Sequence, residues 1–339
     1  MKEVNVLAID LAKEVFQLHA TDKGGKVVMK KRLRRSELLA FVANFPPCVV
    51  AMEACGGSHY WGRRFQMMGH EVRLISPQFV KPFVKSSKND ANDAEAIAEA
   101  ALRPNMRLVP VKRKEQQDIQ NFHRIRERLI RSRTALSNEC RGLLHESGIV
   151  IPKGISKLMN LLPEILENET ELLTPMSMRV FRSLIDELKL LDERIEQYDK
   201  EINEIFKTSQ EAQRIQKIPG VGPITATAII AAIGNPRSFK NGRQFSAWLG
   251  LVPRQNSSGG KTVLLGITKR GDSYIRKLLI LGAKSALYRA PLKEDSRNKW
   301  ISNKVTTKGS NKAAVALANK NARVIWALLA KKEEYKMAA

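Results

Sequence analysis

"VNVLAIDLAKEVFQLHATDKGGKVVMKKRL", residues 4–33, is the stretch whose reading decides the fold. "VNVLAID" (4–10) is a short apolar run that stops on an aspartate and reads as a strand. "VFQLHATD" (15–22) and "KVVMKKRL" (26–33) alternate with a period of two, and "DKGGK" supplies the turn between them. Helical spacing follows in "SELLAFVANF" (36–45), then a buried strand in "CVVAMEA" (48–54). "HYWGRRFQMMG" (59–69) is a helix closed by glycine, and "EVRLIS" (71–76) a further strand. A three-stranded meander followed by alternating helices and strands predicts an α/β domain of the ribonuclease-H-like type, with a mixed sheet. A doubly wound sheet is the competitor; the early meander and the missing Gly-rich βα turn argue against it.

The rest of the chain reads as α, giving an α/β plus α class overall. We expect an N-terminal domain over 1–110, a helical region over 111–208 and a mostly helical C-terminal domain over 209–339. Residues 114–148 form a long basic helix ending at glycine. A second long helix places Phe181, Leu184, Leu188, Leu191, Ile195, Tyr198, Ile202 and Ile205 at alternating spacings of three and four. That seam is a coiled-coil signature and predicts an oligomer; the alternative is a bundle within one chain. "IPGVGPITATAIIAAIG" (218–234) resembles a helix-hairpin-helix, whose turn at Gly220 and Gly222 would offer backbone N–H groups to phosphate; a plain helix–turn–helix pair is the alternative. The tail helix "SNKAAVALANKNARVIWALLAKK" (310–332) is basic and amphipathic and reads as packing.

Charge points to the partner. The 339 residues carry 58 Lys+Arg against 34 Asp+Glu, a formal net charge of +24, so a polyanion is expected and nucleic acid is the default. No apolar run is long enough to span a bilayer and no leader is recognisable, so a cytoplasmic protein without a membrane partner is expected. Cys48, Cys55 and Cys140 lack zinc-site spacing, and HExxH, CxxC and Walker A patterns are missing, which argues against zinc hydrolysis and P-loop chemistry. From Arg237 to Leu279 nine Lys/Arg face one acid, Asp272, around a Gly/Ser-rich loop. So lopsided a stretch reads as a phosphate-facing surface, with Arg254, Lys261, Lys269, Arg270 and Arg276 as candidate clamps. Arg107–Arg133 holds nine Lys/Arg against three acids, a second backbone-reading surface.

Against this background the carboxylates stand out. Asp10 ends the first strand, Glu53 lies near the end of a later one, and Asp90 and Asp93 in "KNDANDAEAIAEA" (88–100) share one helix face. In a ribonuclease-H-like sheet the first strand is central, so these four could converge on Mg2+, which favours oxygen ligands. A metal pair there would clamp the attacking and leaving oxygens of a phosphodiester. The blander reading makes Asp90 an N-cap and Asp93 a partner of the helix dipole.

"AIDLAKEVFQLHA", "AMEACGGSHYWGRRF", "KNDANDAEAIAEA", "IPGVGPITATAII" and "FSAWLGLVPRQNSSGGKTVLLGITKRGDSYIRKLL" occur here in the order seen in the DEDD transposases of insertion-sequence family one-ten, and the chain most resembles their one-one-one-one subgroup. The resemblance runs from about residue 4 to 330. It implies an N-terminal RuvC-like domain, a coiled-coil region and a C-terminal transposase domain. It implies that an element is excised and inserted under the guidance of a structured non-coding bridge RNA pairing with donor and target double-stranded DNA. It puts the catalytic and metal-binding tetrad on Asp10, Glu53, Asp90 and Asp93, with Mg2+ as cofactor, and a nucleophilic serine at Ser258, its neighbour Ser257 being the other choice. It further implies a homo-oligomer, a dimer or a tetramer in the synaptic complex, with composite sites between protomers. A Piv-type site-specific DNA invertase resembles the same two domains. A catalytically inactive nucleic-acid-binding regulator and a metal-dependent junction resolvase acting through water are the further alternatives.

Overall fold

The computed structural model describes residues 3–85, 89–168, 171–292 and 295–336. They fall into two compact units: residues up to Gln116 together with Ile233–Ser238, and Gln117–Ala232 together with the chain from Phe239 onward.

The first unit is built on one sheet. Its elements are β1 (Val6–Asp10), β2 (Val15–Thr21), β3 (Val27–Arg34), α1 (Leu38–Ala43), β4 (Val49–Glu53), α2 (Ser58–Met67), β5 (Glu71–Ile75), α3 (Pro77–Val80), α4 (Asp90–Ala101) and β6 (Leu108–Val109). The strand order is β3-β2-β1-β4-β5-β6. The first three strands form the expected antiparallel meander, β4 and β5 continue parallel to β1, and β6 closes the edge antiparallel. The β2–β3 turn is set by Asp22, whose carboxylate accepts from the Gly24 and Lys26 amides at 2.9 Å, with Gly25 in the left-handed region (φ 79°).

Strand β1 is internal, and both its faces are covered. Leu7 and Ile9 pack with Phe16, Leu18, Val50, Met52, Trp61 and Phe65 on one side. Val6 and Ala8 pack with Ala51 and the alanine-rich face of α4 on the other. Burial on both faces is why this strand reads as a continuous apolar run rather than an alternation. The short edge strand β6 has no such pattern and was not expected.

The second unit is helical with one small ribbon: α5 (Lys114–Glu146, whose first residues belong to the other unit), α6 (Ile155–Asn168), α7 (Pro175–Thr208), α8 (Gln210–Gln216), α9 (Pro223–Ile233), α10 (Gly242–Trp248), β7 (Pro253–Gln255), β8 (Leu264–Ile267), α11 (Ser273–Arg289), α12 (Ser296–Lys308) and α13 (Ser310–Lys331). The heptad seam is occupied inside the chain. Phe181, Leu188, Leu191 and Ile195 of α7 pack with Leu129, Leu136, Cys140 and Leu144 of α5 and Leu158, Leu162 and Leu166 of α6. Leu184 and Tyr198 are only partly buried against the same cluster, while Ile185 takes a fully packed place the strict register did not assign. The seam is therefore satisfied as a bundle within one chain, and it gives no ground of its own for an oligomer. Ion pairs between Arg126 and Asp199 and between Arg133 and Asp192 lace α5 to α7, so part of the basic charge of α5 is neutralised internally. Among the described residues no helix is long and apolar enough to cross a membrane.

Candidate active site

Alternation along two neighbouring strands aims two carboxylates the same way. Asp10 follows Ala8 on the α4-facing side of β1, and Glu53 follows Ala51 on the same side of β4. The parallel register pairs Ile9 with Met52, so Asp10 and Glu53 sit one step further at adjacent strand ends. Helix α4 then runs over this face. Its Ala96, Ile97, Ala98, Ala100 and Ala101 are buried against the sheet, and small side chains let the helix come close.

The N-terminus of α4 is capped by Asn89, whose side chain accepts from the Ala91 amide at 3.0 Å. Asp90 is therefore the first helical residue and not the cap, and with Asp93 it stands as an acid in the first turn, where the helix dipole favours it. Side-chain oxygens of Asp10, Asp90 and Asp93 all lie within 4.8 Å of one another. Three of the four carboxylates predicted from sequence are thus brought together. Glu53 stands outside that trio, at the strand end beside Asp10. The Cys55 thiol is raised above its ordinary pKa first by burial and then by the nearby Glu53 and Asp10 carboxylates.

The lysines around α4 serve a different acid. Lys85 and Lys30 reach Glu95 at 3.0 and 3.3 Å and hold its carboxyl below the usual range. No ion pair engages Asp90 or Asp93 among the described residues. Three carboxylates at this spacing form an all-oxygen set, which suits a hard divalent ion.

The serine candidates sit on the β7–β8 ribbon. Ser258 and Lys261 pair across a two-residue turn, with the Lys261 amide donating to the Ser258 carbonyl at 3.0 Å. Gly259 (φ 53°) and Gly260 (φ 76°) occupy the turn, the left-handed pair that a tight hairpin demands. The whole ribbon tip is exposed. Ser257 is tied into the ribbon: its hydroxyl accepts from Gln255 Nε2 at 2.9 Å and from the Val263 amide at 3.3 Å. Ser258 makes no side-chain hydrogen bond among the described residues, so its hydroxyl is available.

The ribbon root is tightly packed. A Cβ on Gly250 would stand 2.1 Å from the Arg270 carbonyl oxygen, and one on Gly271 1.9 Å from that of Trp248, so two strands of chain cross where no side chain fits. The Arg276 guanidinium, predicted as a phosphate clamp, donates to the Leu249 carbonyl at 3.0 Å and braces this crossing. Arg254, Lys261, Lys269 and Arg270 are exposed around the ribbon. At the Pro-Gly-Val-Gly turn, Gly220 packs on α11: a Cβ there would meet the Gly282 carbonyl oxygen at 2.6 Å. Arg297 and Asn321 hold the Pro219 carbonyl at 3.0 and 3.2 Å. Gly222 is exposed, with nothing within 4 Å of a Cβ.

Sequence reasoning missed a buried polar relay in the same unit. His123 bonds Tyr274 at 3.1 Å and Thr227 at 3.0 Å, linking α5, α9 and the start of α11. The only sequence signal was a histidine inside an amphipathic helix, which carries little.

A profile of the Transposase IS116/IS110/IS902 family matches residues 212–300, and the IS110 DEDD transposase profile matches residues 7–149. The chain is 48% identical to a probable family 20 transposase of Pseudomonas aeruginosa over 97% of this chain and 98% of that one. It is 48% identical to the transposase for insertion sequence element IS1111A of Coxiella burnetii, covering 100% and 93%. It is 41% identical to the transposase for insertion sequence element IS1328 of Yersinia enterocolitica, covering 96% and 97%.

Proposed function

Because the chain belongs to the IS116/IS110/IS902 family of DEDD transposases, we propose that it excises and inserts an insertion sequence through a RuvC-like carboxylate centre acting with Ser258. The observation that carries this reading is the convergence of Asp10, Asp90 and Asp93 at the sheet end. Together with Glu53 these residues would hold Mg2+, which supplies charge neutralisation at a phosphodiester.

The chain's own residues do the rest. The Ser258 hydroxyl attacks phosphorus, forming an Oγ–P bond as the P–O3′ bond breaks. The serine proton passes to a base and the departing 3′ oxygen takes one up. The result is a phosphoserine-linked 5′ strand and a free 3′-OH, and the reverse reaction on a second strand end reseals DNA without a nucleotide cofactor. The ribbon's exposed tip and the unengaged Ser258 hydroxyl support that assignment over Ser257.

In this reading the bridge RNA lies on the basic face of α5, where guide pairing and not protein contact selects sequence. Carboxylates and serine then act together within a homo-oligomer, dimer or tetramer.

A covalent-adduct assay tests the proposal. Protein with co-purified RNA, Mg2+ and labelled donor and target duplexes is run on denaturing gels. An adduct that disappears in Ser258→Ala and persists in Ser257→Ala supports serine attack. Cleavage without adduct, retained in Ser258→Ala and lost in Asp10→Asn, would transfer the reaction to water attack at the carboxylates. That second reading is favoured by the carboxylate cluster alone.

A further inference from the structure

The tail helix, read from sequence as packing, does pack: Ala314, Leu317, Ala318, Ala322, Ile325 and Leu328 are buried. Its opposite face, however, forms one wall of an open groove of about 1650 Å³. Lys312, Lys320, Arg323 and Lys331 line it. At 3.6 residues per turn these four fall within an arc of about 100°, a single stripe running nearly the length of α13. Arg243 of α10 faces them from across the groove. The helices meet closely here, since a Cβ on Gly242 would lie 3.0 Å from the Arg323 Cα.

The cations of this stripe are left largely to one another. Among the described residues no ion pair engages Arg243, Lys312, Lys320 or Arg323; of the two acids that also line the groove, Glu333 reaches Lys331 at 3.8 Å and Glu334 pairs with Lys217 and Arg214. Lys320 lies over the Trp300 ring at 4.6 Å. Its pKa is lowered by burial and then by Arg297 and Arg323, so the positive charges crowd. Folding that gathers uncompensated cations on one face costs stability, and an external polyanion is what recovers it.

The position of the groove selects the polyanion. Leu251, Pro253 and Ile267 also line it, and these are the root of the ribbon that carries Ser258. Asn319 of α13 fixes the root by donating to the Leu251 carbonyl at 3.1 Å. A duplex engaged at the ribbon tip would leave along this wall. We infer that the α13 groove is a docking surface for the phosphodiester backbone of double-stranded DNA flanking the strand at the ribbon, read without regard to base sequence. The inference rests on the family's action on DNA and is independent of which group attacks phosphorus.

The test uses the full chain and 30-base-pair duplexes of two unrelated sequences, with affinity measured across a salt series. Lys312→Ala, Lys320→Ala and Arg323→Ala combined are compared with a charge-matched control, Lys284→Ala, Lys299→Ala and Lys308→Ala, all exposed and none of them lining the groove. The groove variant is expected to weaken binding equally for both duplexes. Its slope of log K against log salt should fall by about 0.9 for each phosphate it no longer neutralises, and the control should keep the wild-type slope. A Lys312→Ala, Arg323→Ala double variant gives the same reading where loss of Lys320 perturbs folding. Equal slopes in the groove variant and the control would overturn the proposal. So would loss confined to single-stranded RNA, or an altered oligomeric state by light scattering with DNA binding intact, the mark of a self-association face. Wild-type protein that binds no duplex at all would instead count against the proposed function on which the inference rests.

Discussion

His123 Nδ1 and the Tyr274 hydroxyl oxygen lie 3.1 Å apart inside the helical unit, and the direction of that hydrogen bond can be worked out. Thr227 donates its hydroxyl to the Pro223 carbonyl at 2.8 Å, so it accepts from His123 Nε2–H. Nδ1 is then the bare nitrogen and accepts from Tyr274. The ring is neutral. Burial, and then the nearby Arg126 guanidinium, push its pKa from 6.5 down to about 4, and burial raises Tyr274 to about 12.

A pH dependence follows from the sign of that shift. The unfolded chain takes up the His123 proton near pH 6.5, whereas the folded chain resists until about pH 4. Between those values the unfolded state binds more protons, so the contribution is complete above pH 6.5 and is lost as pH falls toward 4. The full loss is roughly 3 kcal/mol. Chemical denaturation at pH 7.5, 5.5 and 4.5 should show a shallower decline in His123→Gln than in wild type, though the variant starts lower. Parallel pH curves would mean that His123 does not titrate in this window.

Gly220 and Gly282 form a backbone contact that admits no methyl group: a Cβ on Gly282 would sit 1.8 Å from the Gly220 carbonyl oxygen. Gly282→Ala should therefore destabilise the protein by about 1–3 kcal/mol or more, as overpacking against backbone does. Gly222→Ala, with open space around it, should be nearly silent in a thermal melt. Reversed magnitudes would show that the Pro-Gly-Val-Gly turn is not seated on α11 as described.

These cases mark what was legible in the sequence. The meander, the internal β1 and the adjacency of β4 could be read because buried strands announce themselves by composition and turn chemistry. The long helices could be read because of their periodicity. Asp10, Glu53, Asp90 and Asp93 could be expected to converge once the sheet was read as ribonuclease-H-like; Asp10, Asp90 and Asp93 do meet, while Glu53, at the end of its strand, stands outside the trio. The partner of the α7 seam was not legible, since a heptad states that a face is covered and not by whom. Nor was the seating of Gly220 on Gly282, a contact between residues 62 positions apart. Arg276 was expected among the phosphate clamps, because sequence does not show that a carbonyl lies within reach of its guanidinium.

The carboxylate trio predicts a trade between metal and stability. In metal-free buffer Asp10, Asp90 and Asp93 repel one another at this spacing, so Asp93→Asn should raise the thermal midpoint slightly. Adding Mg2+ should stabilise wild type, by about 2.7 kcal/mol at a hundredfold excess over its dissociation constant, and leave Asp93→Asn nearly unchanged. Differential scanning calorimetry with and without Mg2+ reads both effects. Equal stabilisation of the two proteins would place the ion elsewhere.

Asn89 offers a way to test the site without touching a ligand. Its side chain accepts from the Ala91 amide, and its carbonyl receives the Asn92 and Asp93 amides at 2.8 and 3.0 Å, so it fixes where the first turn of α4 begins. Asn89→Ala removes the side-chain bond and should cost about 1 kcal/mol of stability. Fraying of that turn would also spread Asp90 and Asp93, so Mn2+ affinity, followed by electron paramagnetic resonance, should weaken together with the melting temperature. Asn89→Asp, which can still cap, should restore the melting temperature and the Mn2+ affinity. If Asn89→Ala lost stability while binding Mn2+ as tightly as wild type, the capped turn would not be what sets the carboxylate spacing.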